Sequence, residues 1–97
     1  MPTYVAMINW TDKGVQSFKD TLDRAEAAGS ALEDLGGRLK ELYWTLGPYD
    51  IVGVAEAPDD ETVTAWALKV SSQGNVRTTT MRAFDRDETR GIIEKAG

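Results

Sequence analysis

The sequence predicts an α+β sandwich, one four-stranded antiparallel sheet with its helices on a single face. Three observations lead there. Apolar periodicity switches between the two-residue and the three-to-four-residue repeat in the order β-α-β-β-α-β, a Gly-Pro turn joins the middle two strands, and no linker or repeat divides the 97 residues. A chain of this length buries a little over ~60% of its unfolded surface, enough for one core, so residues 1–97 read as one domain.

The first strand is Thr3–Asn9. Both of its alternating sets, Val5/Met7 and Tyr4/Ala6/Ile8, are apolar, which predicts a strand covered on both faces. Thr11 caps the next helix and Asp12 complements its positive end, while Val15, Phe18, Leu22 and Ala25 form an amphipathic stripe. Gly29 is expected to interrupt this helix, with Ser30-Ala31-Leu32-Glu33 opening a second short piece that Gly36-Gly37 stops.

Alternation returns in Leu39–Leu46, with Leu42, Trp44 and Leu46 on one face and Leu39 and Tyr43 on the other. Gly47-Pro48 turns the chain, so the strand Tyr49–Ala57 pairs antiparallel with its predecessor. Pro58 ends it. Asp59 caps a helix with the stripe Val63, Trp66, Ala67 and Val70, which Gly74 closes. Val76–Phe84 carries Thr78-Thr79-Thr80, whose β-branching suits a strand, and Asp85 with Glu88 has capping-box spacing for a C-terminal helix bearing Ile92 and Ile93. Right-handed crossovers then place both main helices on one side of the sheet, the split β-α-β or ferredoxin-like arrangement. Its other face carries apolar side chains from the first and third strands, a patch that a second copy would cover.

Composition removes whole classes of chemistry. The chain has no Cys and no His, so thiolate chemistry, disulfides, Ser-His-Asp triads and histidine- or thiolate-bound metals are excluded. Asp59-Asp60-Glu61 is accounted for by helix capping and no Ca²⁺-loop pattern is present, so no metal and no cofactor is expected. A net charge of −5 without a basic cluster argues against nucleic acid, and the third strand lacks the aromatic that RNA-recognition modules of this topology use. No apolar run approaches the roughly 18 residues of a membrane helix and no leader pattern opens the chain, which predicts a cytoplasmic protein.

The hairpin carries the most specific pattern. Gly47-Pro48-Tyr49-Asp50 contains a G-x-Y-D arrangement, followed by Glu56-Ala57-Pro58-Asp59-Asp60-Glu61, Gly74-Asn75-Val76-Arg77-Thr78 and Thr80-Met81-Arg82-Ala83-Phe84. In these segments the chain resembles the GYD domain family, a likeness covering nearly its whole length. The resemblance implies a bacterial-type domain of the dimeric α+β-barrel kind with no established activity. Trp44 departs from the Tyr or Phe usual in the family, a change that reshapes any pocket beneath it.

Structural roles suffice for much of this motif, since Gly47 permits the turn and Asp50 can accept from nearby amides. A functional reading makes Trp44 and Tyr49 walls of a pocket, Asp50 and Glu56 acceptors, and Arg82 an anion anchor. The aromatics Tyr4, Trp10, Tyr43 and Trp66 could also line a cavity. Glu56 is the remaining candidate for a catalytic base, and Arg77 and Arg82, five apart, cannot both face it from one side of their strand. The preferred function is a non-catalytic interaction or small-ligand-binding module, a homodimer or higher homo-oligomer with a small apolar or aromatic ligand. The alternative is a cofactor-independent oxygenase or isomerase with Glu56 as base, a reading that rests on fold-level analogy.

Overall fold

The computed structural model describes residues 1–97 and orders them as β1 (Thr3–Trp10), α1 (Asp12–Gln16), a 3₁₀ turn (Phe18–Asp20), α2 (Thr21–Asp34), β2 (Arg38–Trp44), β3 (Ile51–Glu56), α3 (Asp60–Ser72), β4 (Val76–Ala83) and α4 (Arg86–Ala96). The sheet order is β2-β3-β1-β4, antiparallel throughout. This is the ferredoxin-like order. No helix is long and apolar enough to cross a membrane.

Register assigns each strand residue to a face. Tyr4, Ala6, Ile8 and Trp10 of β1 pair with Ala55, Gly53 and Ile51 of β3 and with Arg82, Thr80, Thr78 and Val76 of β4, and this set faces the helices. The other set forms the open face: Val5 lies between Val54 and Met81, and Met7 between Val52 and Thr79. Tyr43 extends the second of these rows. The two-faced apolar character of β1 and β3 therefore divides between a covered side and an uncovered one.

In β2 the alternation is broken. A bulge between Leu39 and Glu41 makes Lys40 an extra residue, so Leu39 opposite Ala55 and Leu42 opposite Gly53 point to the same helix-facing side. Leu39 and Leu42 thus share a face, contrary to simple alternation. Trp44, opposite Ile51, joins them on the helix side.

The first helical segment also differs from expectation. It breaks at Ser17–Asp20 and runs unbroken through Gly29 and Ser30. At the break, Arg24 donates to the carbonyl oxygens of Ser17 (2.9 Å) and Gly14 (3.2 Å), and the Ser17 hydroxyl donates to the Lys13 carbonyl (3.1 Å). These bonds satisfy carbonyls that a continuing helix would have used. Gly29 is carried by the strong helix formers Ala27, Ala28 and Ala31 around it. As a result Val15, Phe18 and Leu22 are exposed, and Leu32 is the side chain of α2 that enters the core.

That core is small and lies towards one end of the sheet. Tyr4, Leu32, Ala55, Ala57, Val63 and Trp66 form it, with the Trp66 indole donating to the Ala28 carbonyl at 2.9 Å. At Gly37 an added Cβ would stand 2.4 Å from the Glu56 carbonyl oxygen, so only glycine lets the chain cross from α2 into β2 there. The C-terminal α4 has the full capping box between Asp85 and Glu88 and not one buried residue. Its projection lengthens the molecule to 50 × 30 × 18 Å, with a radius of gyration of 14.5 Å where about 12.5 Å is usual at this length.

Candidate functional site

At one end of the sheet the G-x-Y-D segment closes the β2–β3 hairpin. Gly47 has φ +125°, a conformation that favours glycine. Thr45 donates its hydroxyl to the Tyr49 carbonyl at 2.6 Å and its amide to the Asp50 carbonyl at 2.8 Å. The Asp50 amide donates to the Ile8 carbonyl (2.9 Å), and its carboxylate accepts from the backbone amide of Trp10 (2.9 Å). Asp50 therefore fastens the hairpin to the end of β1. Beside it the Trp44 indole donates to the Thr21 hydroxyl at 3.0 Å, fixing the hairpin against the start of α2.

The opposite end holds the remaining candidates. Glu56 is paired with Arg38 at 3.0 Å at the rim of the open face, so its partner is neither Arg77 nor Arg82. Arg82 lies over the rings of Phe84 (4.4 Å) and Tyr4 (5.9 Å), donates to the carbonyls of Thr3 and Ala83, and reaches Glu88 at 3.1 Å. The Tyr4 hydroxyl donates to Asp60 at 2.5 Å. Burial first, and then this bond and the Asp60 charge, push the Tyr4 phenol up to about 12. Hydrogen bonding from Thr62 holds the Asp59 carboxyl below its ordinary range, and the amide of Asp85 followed by Arg82 does the same for Glu88.

The five candidates thus fall into two groups. Trp44, Tyr49 and Asp50 frame the hairpin end, while Glu56 and Arg82 sit near the other, five residues of β3 or about 17 Å away. The structure does not bring all five to one pocket.

Besides an open depression of about 370 Å³ lined by Tyr4, Asp60, Thr80 and Arg82, an apolar cavity lies between the sheet and the helices, on the hairpin side of the core. It measures about 90 Å³ and is lined by 21 residues, none of them Asp or Glu. Its origin is legible in side-chain size. Ala25, Ala28 and Ala31 recur along α2 and Ala67 faces in from α3, opposite Ala6 and Gly53 of the sheet. Small residues on both sides leave a gap where larger ones would interdigitate.

Its polar lining is sparse. The indole nitrogen of Trp10 is buried and has no hydrogen-bond partner. Arg24 uses three of its N–H groups on Ser17 and Gly14. The exposed Lys69 and Gln73, with Thr21, Asn75 and Thr78, complete the polar lining. Of the aromatics that could line a cavity, Trp10 and Trp66 line this one and Tyr4 lines the larger depression. Arg24 and the alanine set were missed in the sequence reading, although the three-residue recurrence of alanine was the available signal.

Comparison with known proteins agrees with this architecture. The family model of the GYD domain matches residues 4–93. The chain belongs to the GYD domain family. This GYD domain is 38% identical over 85 residues to the glutamine synthetase and cystathionine beta-lyase binding protein of Thermus thermophilus, spanning 87% of this chain and 90% of that one. A crystal structure of a Thermus thermophilus protein superposes with TM-score 0.56 at 28% identity, covering 88% of this chain and 95% of the other. The Mycobacterium tuberculosis leucine response regulatory protein superposes with TM-score 0.57 at 14% identity, covering 87% of this chain and 51% of that one. The last similarity is one of fold alone.

Proposed function

We propose that this GYD domain is a non-catalytic interaction module of the cytoplasm that pairs with a second copy through its open sheet face and holds a metabolic enzyme on its helix side. The observation carrying the first half is the uncovered apolar surface of Val5, Met7, Val52, Val54, Tyr43 and Met81. Four strands about 4.8 Å apart and up to eight residues long present roughly 500 Å² in projection. With side-chain relief, that approaches the ~800 Å² per partner of a standard interface. Glu56 and Arg38 lie at its rim as an orienting ion pair.

The second half draws on the Thermus thermophilus relative, whose name records binding to two enzymes. The surface suited to an enzyme lies around the Trp44–Thr21 bond, where Phe18, Leu22, Trp44 and Leu46 are exposed. Aromatic and aliphatic anchors grouped in this way are typical of interface centres. Trp44, Tyr49 and Asp50 enter as that surface's frame, and Arg82 as a structural brace at the far end.

Light scattering tests the first half, and native mass spectrometry with purified glutamine synthetase tests the second. The wild-type chain is expected to be a dimer or larger, Val54→Glu a folded monomer, and Leu46→Asp a dimer that no longer captures the enzyme. A monomeric wild type, or a Val54→Glu variant that still dimerises, refutes the sheet-face reading. Capture unaffected by Leu46→Asp refutes the placement of the enzyme surface.

A further inference from the structure

Every residue of the C-terminal helix α4 is exposed, and so is Phe84 just before it. An isolated helix shorter than about 12–15 residues is marginal in water, so an 11-residue helix without packing of its own calls for a partner. Its sequence has the pattern for one. Thr89, Ile92, Ile93 and Ala96 recur at three- and four-residue spacing on one face, with Asp87, Arg90 and Glu94 on the opposite face. Ile92 is 44% exposed and Ile93 64%. The helix is fixed at its root: Asp85 and Glu88 close the capping box, and Arg82, stacked over Phe84 and Tyr4, holds Glu88 at 3.1 Å. An amphipathic helix that projects in a set direction is built as an arm, not as a loose tail.

We infer that α4 is an exchanged arm: its Ile92–Ile93 face packs on a second copy of this chain, and each copy gives one arm and receives one. The inference rests on the sheet-face pairing proposed above and completes it. Area favours a second copy as the occupant. The open sheet face presents roughly 500 Å² against the ~800 Å² per partner of a standard interface. An 11-residue helix is about 16 Å long and about 10 Å wide, so a given and a received arm together add roughly 330 Å² to each side of a two-fold pair, which closes the gap. Continuity points the same way, because β4 is an edge strand whose Met81 and Ala83 lie in the open-face set, and α4 follows directly. The arm also suits a like-charged partner. Each chain carries −5, but Arg86, Arg90 and Lys95 balance Asp87, Glu88 and Glu94, so α4 is neutral and adds no net repulsion between copies.

Two measurements on the full chain test the arm. Ile92→Gln with Ile93→Gln removes the apolar face while keeping the charge and good helix formers. By sedimentation equilibrium the double variant should dissociate at least tenfold more readily than the wild type. Its near-ultraviolet circular dichroism should be retained, because all three tryptophans lie outside α4. The second measurement places the arm directly, in a mixed dimer of one chain carrying ¹³C-methyl isoleucine and one unlabelled. Of the four isoleucines, Ile92 and Ile93 should give isotope-filtered NOEs to the unlabelled chain, and Ile8 and Ile51, which face the helices, should give none. If the wild type dimerises and Val54→Glu does not, a change of less than tenfold in the double variant, or the absence of interchain NOEs from Ile92 and Ile93, overturns the arm and leaves the sheet-face pairing standing. A monomeric wild type overturns both.

Discussion

Gly14 offers the sharpest test of how the two halves of the fold are joined. It is buried where α1 meets the α3–β4 connection, and a Cβ added there would lie 1.9 Å from the carbonyl oxygen of Asn75 and 2.9 Å from its carbonyl carbon. Ordinary contact is well over 3 Å, so Gly14→Ala must push α1 and the connection apart by more than an ångström. Separation strains the bonds that join them: the Thr11 amide to the Asn75 carbonyl (3.0 Å), the Thr11 hydroxyl to the Gly74 carbonyl (2.6 Å) and the Lys13 ammonium to the Gln73 carbonyl (2.9 Å). Losing two such bonds costs about 2 kcal/mol, and residual overpacking costs about 1–3 kcal/mol more. The gain of ~1 kcal/mol in helix propensity offsets only part of this. The net loss of about 3 kcal/mol lowers the thermal midpoint by roughly 12–24 °C in a domain of this size. Differential scanning calorimetry at pH 7 and fixed protein concentration measures it. Gly91→Ala is the control, because nothing lies within 4 Å of its added Cβ and it sits on an exposed helix. A Gly14→Ala midpoint within 3 °C of wild type would show that α1 and the connection are not in contact.

Three further outcomes follow from the same structure. Because the folded Tyr4 phenol titrates at about 12 and the unfolded one at 10.0, stability is fully present below pH 10 and falls as pH rises towards 12. A shift of that size is at most about 2.7 kcal/mol, and solvent around the exposed Asp60 reduces it to about 1–2 kcal/mol. Tyr4→Phe should remove this alkaline loss in urea titrations at pH 9–11.5, and an unchanged slope would refute the assignment. In the Val54→Glu monomer, Asp85→Ala removes the capping box of a helix with no buried residue, so far-ultraviolet circular dichroism should lose the signal of an 11-residue helix at a cost of about 1 kcal/mol. A full signal in the variant would mean that packing within the chain, not capping, holds α4. Finally, a chain stabilised by its partner copy must melt at higher temperature as concentration rises, and a midpoint constant from 2 to 200 μM would count against the dimer.

Much of this architecture was legible from local pattern. The order of strands and helices, the caps at Thr11, Asp59 and Asp85 and the two-faced character of β1 and β3 follow from periodicity and side-chain chemistry alone. The departures have tertiary causes. Arg24 ends α1 by taking its carbonyls from seven and ten residues away, a bond that no local rule anticipates. The bulge at Lys40 places Leu39 and Leu42 on one face, where alternation had separated them. Glu56 finds Arg38 because β2 and β3 are neighbours in register, a pairing invisible in sequence distance. Of the site, the hairpin motif was recognisable and its structural role correctly read in Asp50. The cavity was not, because a void is made by what residues lack.

The same economy of side-chain volume connects the cavity to the assembly. Large apolar residues stand on the open sheet face, on the hairpin and at the start of α2, while seven of the 21 residues lining the cavity between sheet and helices are alanine or glycine. A fold arranged this way gains less from its own interior than its composition would allow. Pairing through the sheet face, as proposed, would add apolar burial that the single chain does not have.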